Sequence, residues 1–339
     1  MVNVGIIGAS GYTGAELLRI AADHPDLDVR LATGDTQAGA TVSSLYPSLA
    51  AAYSGLVFES FDLDAARGLD LVFLGLPHEA SLALAPQLVG DVGCVVDLSA
   101  AYRLKDATHY PQYYGFTHDQ PELLDEAVYG LPELHRADLE AARLIATPGC
   151  YVTAATLAMQ PMVAAGVVEA TGIVVDAASG VTGAGRKLAH ENSFATVDEN
   201  FVAYGLLRHR HTPEMEQEIG AQLLFTPHLV PMNRGILATC YARPAVDGLS
   251  TDRLLDVLHA QYDDEPFVVV THESPSTKAT LGSNAVHITA RYDARTGTVM
   301  VISALDNLTK GASGGAVQAA NVALGLDEAA GLSLVGLMP

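Results

Sequence analysis

The amino-acid sequence predicts an α/β protein of two domains, in which a doubly wound parallel sheet precedes an α+β domain with a mixed sheet. Its 339 residues are enough for two domains. In the first half, short continuous apolar runs alternate with helical patterns, which is typical of a parallel sheet buried on both faces. In the second half longer β patterns dominate, and residues 286–292 alternate apolar and polar side chains as a half-exposed antiparallel strand does.

The first domain is expected over residues 1–147, with residues 312–339 returning to it. Its predicted strands are Val2–Ile7, Val29–Thr33, Leu69–Leu76 and Cys94–Leu98, and its predicted helices are Ala15–Ala22 and Glu79–Val89. The segment Ala101–Arg136 lacks this alternation of apolar strands and helices, and we interpret it as a long irregular loop beside a site.

The second domain is expected over residues 148–311. It begins with a predicted helix, Tyr151–Ala165. The predicted strands that follow are Gly172–Ala178, Leu223–Val230, Gly235–Ala245, Phe267–Thr271, Ala285–Tyr292 and Thr298–Leu305. A last helical stretch, Gly314–Leu324, is expected to pack on the first domain.

Charge and cysteine content narrow the classes of function. Eighteen basic against 39 acidic residues give a net charge of −21, which opposes binding to nucleic acid or to an anionic membrane surface. No apolar run is long enough to span a membrane. The three scattered cysteines indicate neither a disulfide framework nor a metal site. We therefore expect a cytoplasmic protein that acts on a small molecule.

A glycine-rich loop follows the first predicted strand and leads into the first helix. In a Rossmann-type βαβ unit such a loop lets the backbone approach a pyrophosphate at a helix N-terminus. The spacing is Gly-x-x-Gly-x-x-Gly rather than the stricter Gly-x-Gly-x-x-Gly, so a turn without a ligand is the alternative. The cofactor contacts predicted from this loop are Gly8, Ser10, Gly11, Tyr12, Thr13 and Gly14.

Asp35 follows the second predicted strand. An acid at this place commonly meets a ribose 2′-hydroxyl and would repel a 2′-phosphate, which favours NAD. A turn aspartate in solvent is the equal alternative. This residue by itself leaves the choice between NAD and NADP open.

Cys150 is the candidate nucleophile. It follows Pro148 and Gly149 and begins a predicted helix, where backbone N–H groups stabilise a thiolate. Cys94 and Cys240 lie within apolar strands and are expected to be core residues.

His209 and His211 are the candidate acid–base partners of this thiol. They precede a predicted helix with Pro213 in its first turn. A solvated loop would show the same pattern, so the residues alone leave the role of the pair open. His24 and His259, on predicted helices, are interpreted as surface residues.

Basic residues that could hold an anion are few. Arg103 follows the end of a predicted strand, where ligands of parallel sheets collect. Ser179, Gly180 and Arg186 belong to a glycine-rich turn that could form an amide nest. Asn307 and Lys310 precede the last helix and could contact a nicotinamide or a phosphate. For each of these segments a purely structural turn is the alternative.

In combination these motifs resemble those of the N-acetyl-gamma-glutamyl-phosphate reductase family, over essentially the whole chain. The matching segments are Gly8–Leu17, Ile145–Ala154, Met159–Pro161, His209–Glu214, Pro231–Gly235 and Asn307–Gly315. The resemblance implies an NADPH-dependent enzyme of the third step of arginine biosynthesis, which reduces N-acetyl-L-glutamyl 5-phosphate to N-acetyl-L-glutamate 5-semialdehyde and phosphate.

The resemblance also implies the parts of the site. It implies that Cys150 is the nucleophile that forms a thioester and that one histidine of the His209/His211 pair is the acid–base residue. It also implies that NADP is the cofactor, that no metal is needed, and that the protein assembles as a homo-dimer or homo-tetramer. Ala101, where the family commonly has an acidic residue, and Asp35 depart from the family's pattern and bear on cofactor preference.

Other interpretations share parts of this pattern. Aspartate-semialdehyde dehydrogenase has the same chemistry and architecture, but residues 148–151 fit the glutamyl family better. A relative that reduces an aminoadipyl phosphate on an acidic carrier protein should have a basic surface, which the net charge of −21 opposes. A thiol hydrolase would need no nucleotide loop, and a nucleotide-sensing regulator would need no reactive thiol.

Overall fold

The computed structural model describes residues 1–339, which form two compact units. Unit 1 consists of Met1–Pro148 and Ala312–Leu332, and unit 2 of Gly149–Gly311 and Ser333–Pro339. Residues 312–339 were all expected to return to the first domain, whereas the last seven of them pack on unit 2. They are held there because the Asn284 amide donates to the Ser333 carbonyl and the Leu337 amide to the Leu281 carbonyl.

Unit 1 is built on a six-stranded sheet in which every pair of neighbours is parallel, in the order β2-β1-β3-β4-β6-β5. Numbered along the chain, its strands are β1 (Val2–Ile7), β2 (Leu27–Ala32), β3 (Leu71–Leu74), β4 (Cys94–Asp97), β5 (Val128–Tyr129) and β6 (Leu144–Ala146). Its helices are α1 (Tyr12–Asp23), α2 (Val42–Leu45), α3 (Leu63–Ala66), α4 (His78–Leu88), α5 (His109–Tyr113), α6 (Pro121–Glu126), α7 (Pro132–Leu139) and, near the C-terminus, α12 (Gly314–Ala323).

Both faces of this sheet are buried, as the continuous apolar strands predict. Val4 and Ile6 of β1 pack in a core cluster with Leu17 of α1 and with α12. Ile7 of the same strand belongs to a second cluster that contains Leu82 of α4. The predicted doubly wound sheet is therefore confirmed, and α12 belongs to unit 1.

Two features of unit 1 differ from the sequence analysis. The segment Ala101–Arg136, interpreted as irregular, contains the short elements α5, α6 and β5 and the start of α7. Strand β6 was not predicted either, because elements this short show little periodicity. The surface assignment of His24 is wrong: the ring is buried and its Nε2 bonds to Asn321 Oδ1 of α12 at 3.1 Å.

Unit 2 is built on a seven-stranded mixed sheet in the order β11-β12-β13-β10-β7-β9-β8. Its strands are β7 (Ile173–Gly180), β8 (Val202–Ala203), β9 (Leu223–Val230), β10 (Ile236–Ala242), β11 (Val268–Val270), β12 (Val286–Asp293) and β13 (Thr298–Leu305). Its helices are α8 (Cys150–Ala164), α9 (Phe194–Val197), α10 (Thr212–Ile219) and α11 (Thr251–Tyr262).

Helix α8 is the centre of unit 2. It is apolar on all sides and almost entirely buried, as a helix enclosed by protein must be. It packs on β7, β10 and β13 and is flanked by α10 and α11. Cys94 and Cys240 are buried in β4 and β10 as predicted, and burial raises the pKa of each thiol to about 12. None of the helices combines the length and the apolar character that crossing a membrane would require.

Candidate active site

The glycine-rich loop of unit 1 connects β1 to the N-terminus of α1. Gly14 must lack a side chain, because a Cβ there would lie 2.4 Å from the Ala9 Cα. At Gly11, the residue before α1, a Cβ would meet only the Gly8 carbonyl, at 3.5 Å, and no side chain caps the helix. The loop therefore leaves room in front of the helix N-terminus for an anionic group such as a pyrophosphate.

Neighbouring residues hold this loop in place. The Gly8 amide donates to Thr33 Oγ1 at 3.1 Å, and Tyr46 Oη donates to the Ser10 carbonyl at 2.7 Å. Ser313, at the start of α12, donates to the Thr13 carbonyl at 2.8 Å. Asp35 lies exposed just beyond β2 with a positive φ of 23°.

In unit 2, Cys150 is the first residue of α8 and is half-buried. Gly149 precedes the helix and offers it no side-chain cap. Its amide instead donates to Glu214 Oε1, at 2.9 Å, from the first turn of α10. Glu214 is fully buried, so this bond joins the beginnings of two helices inside the protein.

His211 precedes α10 and lies against the same glycine. A Cβ on Gly149 would come within 2.5 Å of His211 Nε2, so only glycine allows the ring to pack here. On the other side, a Cβ on Gly311 would lie 2.9 Å from the Cys150 Cβ. The structure thus brings His211, Glu214 and Gly311 to the residues at the start of α8.

His209 is a neutral ring inside an aromatic cluster. Burial, and secondarily the charge of Arg210, lower the pKa of His209 to about 4. Its Nδ1 accepts a hydrogen bond of 3.1 Å from the His211 amide, so the proton of the neutral ring resides on Nε2. Its ring centroid lies 4.8 Å from that of His211.

The two candidate anion-binding arginines differ in their surroundings. Arg103 of unit 1 is buried, and it donates Nε to the Thr147 carbonyl at 2.6 Å and Nη2 to the Leu98 carbonyl at 3.0 Å. Its guanidinium thereby supports the ends of β4 and β6. Arg186 of unit 2 is half-buried on the turn after β7.

The turn that begins with Ser179 and Gly180 is not an open amide nest. The amides of Gly180, Val181 and Thr182 donate to the carbonyls of Gly235, Met232 and Asn233. Ser179 Oγ donates to the Gly180 carbonyl at 3.1 Å. The amides of the expected nest are therefore taken by a neighbouring turn, which leaves the Arg186 side chain as the remaining candidate of this segment for holding an anion.

Asn307 and Lys310 both belong to unit 2. Asn307 Oδ1 accepts from the Gly235 amide at 2.7 Å, and its Nδ2 donates to Thr182 Oγ1 at 3.0 Å, so it joins two turns. Lys310 is buried with its Nζ 5.9 Å from the centroid of the Phe267 ring. Both side chains thus have contacts that build unit 2.

Two further residues that organise unit 2 are not predicted from the sequence. Glu214 belongs to the His209–Glu214 motif, and an acid in the first turn of a helix beside two histidines is the signal that could have marked it. Asp306 is buried and accepts from the amides of Gly282, Leu308 and Thr309 and from the Arg234 guanidinium. No local pattern marks this residue. No group of three or more His, Cys, Asp or Glu side chains is placed to hold a metal ion.

Two family models match the chain. The semialdehyde dehydrogenase NAD binding domain matches residues 3–142, and the semialdehyde dehydrogenase dimerisation domain matches residues 150–307. Among solved structures, aspartate semialdehyde dehydrogenase II from Vibrio cholerae, complexed with ASA, has a TM-score of 0.72 at 17% identity, covering 95% of this chain and 98% of its own. The predicted combination of a nucleotide-binding domain and a mixed-sheet domain is confirmed by these matches.

Relatives with much higher identity identify the family. The N-acetyl-gamma-glutamyl-phosphate reductase of Symbiobacterium thermophilum is 46% identical over 344 residues, which cover 99% of this chain and 98% of that protein. The protein of the same name from Geobacter sp. strain M21 is 47% identical over 349 residues, which cover both chains completely. The resemblance inferred from the motifs is confirmed, and this chain belongs to the N-acetyl-gamma-glutamyl-phosphate reductase family.

Proposed function

We propose that this protein reduces N-acetyl-L-glutamyl 5-phosphate with NADPH to N-acetyl-L-glutamate 5-semialdehyde and phosphate, the third step of arginine biosynthesis, in the cytoplasm. The observation that carries the proposal is Cys150 at the N-terminus of α8, directly after Gly149, which contacts the His211 ring and donates to Glu214. Relatives at 44–47% identity carry the name of this activity. A thiol hydrolase would leave the nucleotide-binding domain without a purpose.

The first step forms a bond from sulfur to the acyl carbon. The Cys150 thiolate attacks the carbonyl of the acyl phosphate, the carbon–oxygen bond to phosphate breaks, and a thioester remains on the enzyme. The first turn of α8 favours the thiolate, since backbone N–H groups at a helix N-terminus stabilise negative charge. Cys94 and Cys240 are unsuited to this role because burial raises the pKa of both thiols to about 12.

The glycine-rich loop of unit 1 fits a dinucleotide. The space in front of Gly11 and the uncapped N-terminus of α1 would receive the pyrophosphate on backbone amides. When bound, the reduced nicotinamide supplies the hydride that converts the thioester to a thiohemiacetal. The family resemblance favours NADPH over NADH, and Asp35→Ser, which removes an exposed carboxylate, should strengthen that preference in parallel assays with the two cofactors.

His211 is the acid–base residue in this proposal. It gives a proton to the oxygen that becomes negative as hydride arrives, and it accepts one when the thiohemiacetal collapses to aldehyde and thiolate. Its ring lies against Gly149, next to the nucleophile. His209 is a poor alternative because its pKa is lowered to about 4, so it stays neutral near pH 7 and orients the His211 backbone instead.

Arg186 is the phosphate ligand in this proposal. It lies in the same unit as Cys150 and belongs to an exposed turn, whereas Arg103 donates to two backbone carbonyls. Arg186→Gln should raise the KM for phosphate in the reverse reaction, and Arg103→Gln should lower thermal stability instead. An unchanged KM for phosphate in Arg186→Gln would exclude this assignment.

The function itself is tested in the reverse direction. Semialdehyde, phosphate and NADP⁺ are mixed with the protein, and the absorbance of reduced nicotinamide is followed. We expect turnover that requires all three reactants, and none with aspartate semialdehyde in place of the N-acetylated substrate. Faster turnover with aspartate semialdehyde would assign the chain to the alternative activity.

We further infer that a second copy of this chain covers an exposed apolar segment of unit 2, residues 188–207. The assembly in this proposal is a homo-dimer or homo-tetramer. The segment lies within the residues matched by the family's dimerisation domain and contains edge strand β8. Its exposed apolar side chains are Leu188, Phe194, Phe201, Val202, Leu206 and Leu207. Apolar area of this extent on one segment is typical of an interface.

Sedimentation velocity tests this interface. Phe194→Asp with Leu207→Asp should shift the protein to monomer. The matched control, Val269→Asp with Leu334→Asp, places the same charges on exposed apolar residues elsewhere in unit 2 and should leave the assembly intact. An unchanged assembly in the first variant would exclude this segment as the interface.

A further inference from the structure

Two phenols connect the segment before His209 to the first turn of α8. Tyr204 Oη donates to Tyr151 Oη at 3.2 Å, and Tyr151 Oη donates to the His228 carbonyl at 2.9 Å. Tyr151 directly follows Cys150, and His228 lies on β9. A relay of hydroxyl groups therefore anchors the residue next to the nucleophile to the sheet.

The same two rings enclose His209. The ring centroid of His209 lies 5.8 Å from that of Tyr151 and 5.5 Å from that of Tyr204, both in edge-to-face contact. Such aromatic pairs have a preferred geometry beyond simple burial. Because His209 Nδ1 accepts from the His211 amide, the position of the two phenols is transmitted to the backbone of His211.

Both phenols remain protonated, and therefore able to donate, near neutral pH. Burial raises the pKa of Tyr204 to about 12 and raises the pKa of Tyr151 further. The charge of Cys150 contributes to the upward shift of the pKa of both phenols. Because both hydroxyl groups stay protonated, the hydrogen bonds from Tyr204 to Tyr151 and from Tyr151 to the His228 carbonyl keep their direction during the reaction.

We propose that Tyr204 is a positioning residue, which through Tyr151 and His209 sets the placement of His211 relative to Cys150. The proposal rests on the proposed function, in which those two residues exchange the proton and form the thioester. Errors of about 1 Å in such placement can lower a rate by about 10²-fold. A single neutral hydrogen bond should contribute a part of that, about tenfold.

Tyr204→Phe removes the hydroxyl group and keeps the ring. We expect kcat to fall about tenfold, with little change in the KM for acyl phosphate, in the affinity for NADPH or in the melting temperature. The pH at which iodoacetamide alkylates Cys150 at half its maximal rate should rise, because a loosened first turn stabilises the thiolate less. Tyr151→Phe should show the same changes.

A double-mutant cycle identifies the relay. If the two hydroxyl groups act as one unit, the Tyr151→Phe/Tyr204→Phe enzyme should lose no more activity than either single variant. Tyr241→Phe is the matched control, since Tyr241 and Tyr204 are both 37% exposed and Tyr241 lies on β10; it should retain normal turnover. Normal turnover in Tyr204→Phe, or losses that multiply in the double variant, would overturn the proposal.

Failure of the relay is distinguishable from failure of the proposed function. Cys150→Ser is assayed beside these variants. If it is inactive while Tyr204→Phe is normal, only the positioning role is overturned. If Cys150→Ser turns over normally, the thioester mechanism fails, and the positioning role fails with it.

Discussion

At the scale of single residues, the candidate site depends on one contact between distant parts of the chain. Gly149 and Glu214 are 65 positions apart and are joined by a buried hydrogen bond. The residue after Gly149 is the proposed nucleophile, Cys150, and Glu214 lies three residues after His211. The bond therefore fixes the separation of the two helix beginnings that carry Cys150 and His211.

Glu214→Ala tests this contact. It leaves the buried Gly149 amide without an acceptor, which should lower stability by about 1–3 kcal/mol and kcat by about 10- to 100-fold through misplacement of Cys150. Glu214→Gln keeps an acceptor oxygen and should lose much less. The measurements are kcat and the midpoint of urea unfolding.

Glu216→Ala is the control for Glu214. It lies on the same helix and accepts from the Leu223 amide at 3.1 Å, so it also removes an acceptor of a backbone amide, but one remote from Cys150. We expect a stability loss without a comparable loss of kcat. Equal losses of kcat in the two alanine variants would refute a specific role of Glu214.

The histidine pair gives a second prediction at this scale. His211→Asn should lower kcat by about 10²–10⁴-fold, the range for a lost general acid–base. His209→Asn should lose less, because the pKa of His209 is lowered to about 4 and the ring acts only through its hydrogen bond to the His211 amide. Side-by-side kcat measurements decide, and a larger loss in His209→Asn would reverse the assignment.

At the scale of elements, the turn after β13 organises unit 2. Asp306 directly follows β13, and its side chain is fully buried. It forms an ion pair with Arg234, in which Arg234 Nε lies 2.9 Å from Asp306 Oδ2. The same carboxylate accepts from the Gly282 amide at 2.7 Å. One buried acid thus ties together the segments around residues 234, 282 and 306, and the chain then runs to Gly311 beside Cys150.

Arg234→Met should therefore be strongly destabilising. Removing one partner of a buried ion pair typically costs about 3–5 kcal/mol, because the remaining charge stays buried. Arg295→Met is the matched control: its pair with Asp293 is 3.5 Å long with both side chains exposed, and such an exposed pair contributes little to stability. Thermal melting compares the two, and equal shifts would show that burial of Asp306 does not matter.

The elements also show what sequence can and cannot predict. Strand β13 matches the predicted Thr298–Leu305, and α8 begins one residue before its predicted start, because both carry long, regular apolar patterns. The turn-to-helix context of Cys150 is also local, and it suffices to predict a candidate nucleophile there. The Glu214 contact depends on how α10 packs on α8, and the burial of His24 depends on Asn321, 297 positions away; neither leaves a local pattern.

At the scale of the whole molecule, burial lowers the pKa of four histidines. These are His24 and His118 in unit 1 and His209 and His287 in unit 2. In the folded protein each of these rings binds its proton only at a lower pH than in the unfolded chain, where histidine has its ordinary pKa of 6.5. Acid therefore favours the unfolded state at all four places. Asp97 has the opposite effect on stability in acid, because burial raises its pKa. This single group should not cancel the effect of the four histidines.

Stability should consequently fall as the pH drops below about 6.5, and it should continue to fall toward pH 4, where His209 takes up its proton in the folded state. We expect the urea midpoint at about pH 5.5 to lie clearly below that at about pH 7.5. His209→Phe should reduce the difference. Equal midpoints at the two pH values would contradict this account of the buried histidines.

The central claim, a thioester on Cys150, is tested most directly by withholding phosphate in the reverse reaction. The thiol adds to the semialdehyde, hydride passes to NADP⁺, and the resulting thioester cannot be released as acyl phosphate. We predict a rapid burst of about one NADPH per site and a mass increase equal to the acyl group on the peptide that contains Cys150, with neither in Cys150→Ser. A burst without an adduct on Cys150, or a burst that persists in Cys150→Ser, would contradict the mechanism.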